Sequence, residues 1–353
     1  MSLPATAMLV VVFTLVLAVS SPIATVLTGG LRRRDTLLLA MTIFTLGNLI
    51  AAFAPGFGTL MLARILMAIA AGLYAPNANA LAGMIVPPEK RGRALAIVSG
   101  GMTIAIALGL PLGSIIGHAF GWRTTFLMVA AMGAVAISGI AAGVDRQAGA
   151  GMTIPSMGER ISVISQPPIL RLLSVTLFWS MGAYTAYPYI APYLSSTLGF
   201  SDRGIASTVT LWGIFAAFGV FTGGILNDRF GSRKVAIGSL AALAVSFAAL
   251  ALATLLSDLA SMAVVFAAVA GWGFSVWSFF PAQMARLIVA GGQARSSVAL
   301  SLNTSTMYLG FSIGSALGAG IIAIGNVWMI GVAAAISEVL AFTLARLWAR
   351  KNS

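Results

Sequence analysis

Long runs of apolar residues, broken at short polar intervals, dominate the chain. They fall at about 6–28, 36–54, 57–86, 94–117, 124–144, 169–193, 204–226, 235–256, 260–284, 297–320 and 326–349. A helix needs roughly 20 apolar residues to cross a hydrocarbon core about 30 Å thick, and the runs have that length. The pattern therefore predicts an all-α integral membrane protein of eleven spanning helices, the third long enough to tilt or to project beyond the hydrocarbon. The longest break, Asp145 to Pro168, is polar and bears Gly, Ser and Pro, as a linker does. It separates an N-terminal half of five spans, 1–144, from a C-terminal half of six, 169–353.

The basic residues mark alternate breaks. On one side lie Arg32, Arg33, Arg34, Lys90, Arg91, Arg93, Arg146, Arg160, Arg171, Arg229, Arg233, Lys234, Arg286, Arg295, Arg346, Arg350 and Lys351, which is 17 of the 20. The other side has Arg123 and Arg203, and Arg64 falls inside a span. Cytoplasmic loops keep the excess of Lys and Arg, so the linker 145–168 and the C-terminus are expected in the cytoplasm, and the odd span count places Met1 outside. The first run is read as a span and not as a cleaved signal. It has no basic flank before it, and it continues to Thr28 before meeting three arginines.

Composition narrows the function. Hydrophobic residues make up 59% of the 353 and charged residues only 8%, against about 25% charged in soluble domains. The net charge of +12 sits in short clusters between apolar runs, not on a basic face, so nucleic acid is not the expected partner. Cysteine is absent and His118 is the single histidine, which leaves no thiolate, imidazole cluster or triad for metal binding or catalysis. No enzyme activity, cofactor or metal is expected. No charged ring or filter loop suggests a channel.

The two halves resemble each other. Gly29, Gly30 and Leu31 before a basic cluster correspond to Gly223 and Gly224 before Asp228, Arg229, Arg233 and Lys234, about 195 residues on. Gly109, Gly113 and Gly117 recur as Gly310, Gly314 and Gly318, about 201 residues on. Offsets near 200 at separate landmarks indicate an internal parallel repeat, as in two-halved transporters. By the same offset the run 169–193 has no N-half counterpart, so the first helix of a twelve-helix plan is expected to be missing.

One segment has a mechanical logic. Gly224 to Lys234 joins two spans at the cytoplasmic side and sets Asp228 beside Arg229, Arg233 and Lys234, with Gly231 at the turn. A carboxylate among cations can hold a neighbouring helix terminus in one conformation and release it in another. A tight basic turn obeying membrane topology is the plainer reading. The segment resembles, position for position, the signature loop of the major facilitator superfamily: glycine-x-leucine-x-aspartate-arginine-x-glycine-x-basic-basic. Ala63-Arg64-Ile65-Leu66 resembles the arginine motif of that family's fourth helix, and Pro87 to Ala94 the loop after it. Gly121-Trp122-Arg123-Thr124-Thr125-Phe126 is similar to the entry of the sixth. Gly109-Leu110-Pro111-Leu112-Gly113 resembles the antiporter motif of the fifth helix, as found in arabinose-efflux-permease-like members of the twelve-helix drug/proton antiporters.

The resemblance implies the major facilitator fold and solute export in exchange for protons. Three departures are visible: Arg33 stands where the C-half has Asp228, Met67 replaces the usual glutamine, and the absent first helix is one that carries a polar or acidic residue in relatives.

Candidate cavity residues are the polar and aromatic side chains that hydrocarbon disfavours. Ser180, Tyr184 and Tyr187 fall on one helix face, while Tyr189 and Tyr193 are expected to be interfacial belt aromatics. Trp277, Phe280 and Gln283 surround Pro281; Asn303 and Thr306 follow on the next span, and Asn77 and Asn79 lie on the third. For each, interhelical packing is the alternative to lining a cavity. The same holds for Gly109, Pro111 and Gly113, where plain packing and a conformational role remain open. Arg64 and Glu338 are the intramembrane charges, each costing roughly 2.5–3.5 kcal/mol at a helix centre. The resemblance ties the Arg64 motif to proton coupling. Glu338 lies on the last helix, which is peripheral in that fold, so pairing or packing is its alternative.

The expected function is secondary active transport of a small organic solute by alternating access, as efflux with proton antiport. The protein is expected to be a monomer spanning the lipid bilayer of the cell (inner) membrane. A truncated non-transporting membrane protein and an uptake permease are the alternatives.

Overall fold

A computed structural model describes residues 3–28, 30–85, 121–148 and 157–350, with scattered helical positions between 98 and 120. Gly29, the segment 87–94, Pro111, His118, linker positions 149–156 and most of the run 94–117 lie outside the described residues. Ten helices among the described residues are long and apolar enough to cross a membrane, and no strand occurs among those residues. The protein is an all-α, multi-pass membrane protein.

The chain divides into two compact units, one formed chiefly by 12–105 and 112–160, the other chiefly by 161–353. The first contains α1 (Leu3–Leu27) from Val12 onward, α2 (Arg33–Ala52), α3 (Phe57–Met84) and α4 (Trp122–Gly143). Apolar surface gives helices no net attraction for each other inside lipid, so contact depends on small residues that let backbones approach. A Cβ at Gly47 of α2 would lie 2.7 Å from Met67 of α3. One at Gly133 of α4 would collide with Thr45 of α2. The α4 entry is tied back by Arg123, whose guanidinium donates to the Ala54 carbonyl at 3.0 Å and lies 4.3 Å over the Trp122 ring.

The linker ends in α5 (Met157–Ile164), whose residues from Ile161 belong to the second unit, and α6 (Pro167–Ala186) follows. The predicted run 169–193 is not one helix. It breaks at a 3-10 turn, Tyr187–Tyr189, before α7 (Ile190–Leu198). Pro188 and Pro192 have no N–H to donate along the helix, which accounts for the break. Then come α8 (Asp202–Phe230), α9 (Ser232–Ala253), α10 (Asp258–Ala323) and α11 (Met329–Arg350). The 66 residues of α10 would extend about 100 Å if straight, three times a hydrocarbon core. They bend at Gly292, whose φ of 62° and ψ of −177° are non-helical and open essentially to glycine alone. The result is two spans, Leu259–Gly292 and Val298–Ala323. At the elbow, Val163 of α5 is buried with Leu172, Leu173, Leu287 and Val298, so the end of the linker is docked.

Candidate functional site

The second unit is organised around α6, which packs on both spans of α10 and on α11. Its centre is Thr176, which is fully buried. The Thr176 hydroxyl donates to Asn303 Oδ1 at 2.6 Å and accepts from Gln283 Nε2 at 3.0 Å. Gln283 Nε2 also donates to the Leu172 carbonyl at 2.7 Å, and Arg286 Nη1 donates to Gln283 Oε1 at 3.3 Å. Gln283 and Asn303 are thus brought together, in a buried network that ties α6 to both spans of α10. Buried amides require such partners, and each hydrogen bond restricts how these helices slide.

Beside the network runs the glycine ladder. A Cβ at Gly310 would lie 2.7 Å from the Leu177 carbonyl oxygen and collide with Ser180. At Gly314 it would meet the Met181 carbonyl, and at Gly318 the Tyr189 ring. Ser180, fully buried, turns its hydroxyl inward to the Thr176 carbonyl at 2.7 Å. In the N-half ladder, among the described residues, a Cβ at Gly117 would lie 3.7 Å from Thr125.

The aromatic candidates form two groups. Tyr184 stacks on Phe311 with ring centroids 3.6 Å apart. Tyr187 lies not on α6 but in the 3-10 turn, against Trp212 at 4.7 Å and edge-on to Trp272 at 6.3 Å. The two tyrosine rings are 5.4 Å apart, which joins the groups. Trp277 meets Phe280 edge-on at 6.0 Å, and Phe280 continues to Trp179 at 6.4 Å. Tyr189 and Tyr193 are corrections to the sequence reading. They are 2% exposed, and their hydroxyls donate to the carbonyls of Ser315 and Leu250. A buried phenol needs such an acceptor, so they tether α6–α7 to α10 and α9 and do not form an interfacial belt.

Glu338 on α11 is fully buried. Its Oε1 lies 2.8 Å from where a Cβ at Gly182 would be, and neither carboxyl oxygen has a hydrogen-bond partner among the described residues. Its neighbour Ser337 donates to the Phe178 carbonyl of α6 at 2.8 Å.

Elsewhere in the second unit, α8 and α9 are joined through Gly231 alone, at φ 83°. That positive φ suits glycine and makes the turn abrupt. The Gly231 N–H donates to the Asn227 carbonyl at 2.9 Å. Asp228, Arg229, Arg233 and Lys234 are exposed, and Gly224 is half-buried. Asp228 sits on the last turn of α8, and Arg233 and Lys234 on the first of α9. Each is at the end of the helix dipole that disfavours its charge, by about 0.3–1 kcal/mol, so these charges do not serve the stability of their own helices.

In the first unit, Arg33 is only 2% exposed and its Nη1 donates to Asn77 Oδ1 at 2.7 Å. Asn77 Nδ2 donates in turn to the Leu73 carbonyl at 2.7 Å. Asn79 is exposed and bonds only to Ala75 of its own helix, at 3.0 Å. The Arg64 guanidinium lies 4.4 Å over the Phe13 ring. Neither Thr176 nor the Arg33–Asn77 pair is marked by hydropathy, because Thr176 is one of many span hydroxyls and Arg33 one of three consecutive arginines.

Comparison with known proteins places this architecture. The family model of the Major Facilitator Superfamily matches twice, over residues 1–180 and 172–353. YbcL of Bacillus subtilis, described as an uncharacterized transporter of this type, is 30% identical over 90% of this chain and 79% of its own. The inner membrane transport protein YdhP of Escherichia coli is 30% identical over 99% of this chain and 88% of its own. A probable sugar efflux transporter of Mannheimia succiniciproducens is 26% identical over 96% and 84%. The chain belongs to the Major Facilitator Superfamily. It is a membrane transporter and not an enzyme.

Proposed function

We propose that the protein exports a small organic solute in exchange for protons, working by alternating access as a monomer in the cell (inner) membrane with its C-terminus in the cytoplasm. The observation that supports export most directly is the alignment, over almost the whole chain, with a relative named as a probable sugar efflux transporter. The inner-membrane location draws on YdhP and the orientation on the basic asymmetry.

In this reading the loop Gly224–Lys234 is the conformational gate: Asp228 engages a helix terminus in one state and is released in the other. Gly109, Pro111 and Gly113 form the antiporter-type segment. Ser180, Tyr184, Tyr187, Trp277, Gln283 and Asn303 of the second unit, and separately Asn77 and Asn79 of the first, are the aromatic, hydroxyl and amide candidates for contacting a solute. Glu338 is the intramembrane carboxyl that can take up a proton, and Arg64, a permanent cation, is the intramembrane charge that would take part in proton coupling without itself titrating. The test is uptake by everted vesicles over-expressing the chain, energised by an inward-acid gradient and offered radiolabelled sugars and amphiphilic drugs. Gradient-dependent accumulation of one of them, abolished by a protonophore, is expected. Accumulation only in right-side-out vesicles would reverse the direction, and solute exchange insensitive to the gradient would remove the proton.

A further inference from the structure

Of the eight acidic residues, Glu338 alone falls in the interior of an apolar run. The structure gives it a specific cover. Gly182 presents bare backbone to the carboxyl, with the Ala334 carbonyl 3.1 Å and Oε1 2.8 Å from the point a Cβ would occupy, so any larger residue at 182 would displace it. Among the described residues neither oxygen has a hydrogen-bond partner, and the residue is 0% exposed.

The helices packed against α11 are α6, α9 and, more lightly, α10. Their titratable and charged groups are engaged or placed elsewhere. On α6, Arg171 lies eleven residues before Gly182, about 16 Å along the axis, and Tyr184 is stacked on Phe311. On α9, Arg233 and Lys234 are exposed at the first turn. On α10, Arg286 donates to Gln283, Arg295 is exposed and Tyr308 lies edge-on to Phe311 at 5.5 Å. Asp258 begins that helix. On α11 itself Arg346 lies over Phe342 at 5.3 Å. Among the described side chains none forms a hydrogen bond or ion pair with Glu338.

We infer that Glu338 is a proton-binding site that works as a catch between α6 and α11: the seam closes over the neutral acid and parts when the carboxylate forms. An ionised carboxylate needs water or a cation, and burying it without either is strongly disfavoured. With Gly182 seated on it, neither can reach it, so loss of the proton to solvent requires the helices to separate. The step is a simple one, in which the carboxylate takes one proton from the medium and returns it later. The helix that yields is α11. The Thr176 network and the Gly310–Gly318 ladder clamp α6 to α10, whereas α11 is bonded to α6 through Ser337.

This rests on the proton-antiport reading but is tested without a solute. The cysteine-free chain accepts spin labels at Leu170→Cys on α6 and Leu347→Cys on α11, both exposed. In liposomes the distance between them is expected to lengthen as pH rises. The infrared carbonyl band of a neutral carboxylic acid should be lost over the same pH range. Glu338→Gln, a neutral isostere, should remove the band and hold the distance at its short value at every pH. An unchanged pH response in Glu338→Gln, or a wild-type distance that ignores pH while the band titrates, overturns the catch. If Glu338→Gln does not fold, the wild-type titration alone decides, since band and distance must change together. Failure of proton-coupled accumulation in vesicles would remove the antiport reading and leave these two readouts intact.

Discussion

The Arg33 guanidinium, buried at the start of α2, donates to the side-chain carbonyl of Asn77 on α3 at 2.7 Å. Asn77 follows Pro76, which lies inside α3 and supplies no N–H to the preceding turn. The amide therefore joins α2 to the stretch of α3 where the backbone ladder is weakest. Asn77→Ala would leave a buried cation without that acceptor, at a cost of about 1–3 kcal/mol. Asn79→Ala, at an exposed side chain bonded only within its own helix, should change stability by less than about 0.5 kcal/mol. Thermal unfolding in detergent is expected to separate the two, and equal midpoints would show that the pair does not hold α2 to α3.

The glycine ladder makes a second contrast. Gly310→Ala forces a methyl group against the Leu177 carbonyl oxygen at 2.7 Å, which is backbone and cannot rotate away. Overpacking of this kind costs about 1–3 kcal/mol. Gly320, on the same span, has nothing within 4 Å, so Gly320→Ala should be neutral or slightly stabilising. Folded yield by fluorescence-detected gel filtration checks the pair. A neutral Gly310→Ala would mean that α6 and α10 are not in contact as described.

Much of this was legible in the chain because hydrocarbon imposes a length on every span. The run 57–86 became α3 at 57–84 and the run 235–256 became α9 at 232–253. Less legible were features set by one or two residues against a long apolar background. The polar interval between 284 and 297 reads as a loop, yet helix continues through it except at Gly292. The face shared by Ser180, Tyr184 and Tyr187 assumes an unbroken helix, and Tyr187 begins the 3-10 turn instead. Tyr189 and Tyr193 have the position of belt aromatics but are buried, because carbonyls of α9 and α10 accept from them. Which helix meets which depends on small residues whose partners lie more than a hundred positions away, as Gly310 and Ser180 do, and no local pattern encodes that.

Thr176 holds two amides at once, so its energetics should not be additive. Thr176→Val keeps the shape but removes both the donor to Asn303 and the acceptor for Gln283. Asn303→Leu removes the same bond from the other side. In a double-mutant cycle the Thr176–Asn303 coupling is expected at about 0.6 kcal/mol, the average for interhelical bonds inside membranes, and at no more than about 1.7 kcal/mol. Steric trapping or unfolding in mixed micelles can read it. Strict additivity would mean that the 2.6 Å contact contributes nothing.

The exposed loop supports a prediction of the opposite kind, in which function changes and stability does not. Asp228 is exposed, has no hydrogen bond or ion pair among the described residues, and sits at the C-terminal end of its helix, which disfavours a carboxylate by about 0.3–1 kcal/mol. Nothing local would be lost by replacing it. Asp228→Asn should therefore leave membrane abundance and thermal stability unchanged or slightly improved. If the loop is the gate, the carboxylate acts on the balance between two conformations, and a ligand or charge shifts such a balance only by its differential interaction with the two states. Losing an interaction of 1.4 kcal/mol in one state changes the ratio of states by about tenfold, and transport rates should fall on that order. Asp228→Glu, which keeps the charge, should lose less. Initial rates of solute accumulation at matched expression, set beside the unfolding midpoints, decide the matter. Normal transport by Asp228→Asn would reduce the loop to a topological turn, and a parallel loss of stability would assign the residue to packing instead of gating.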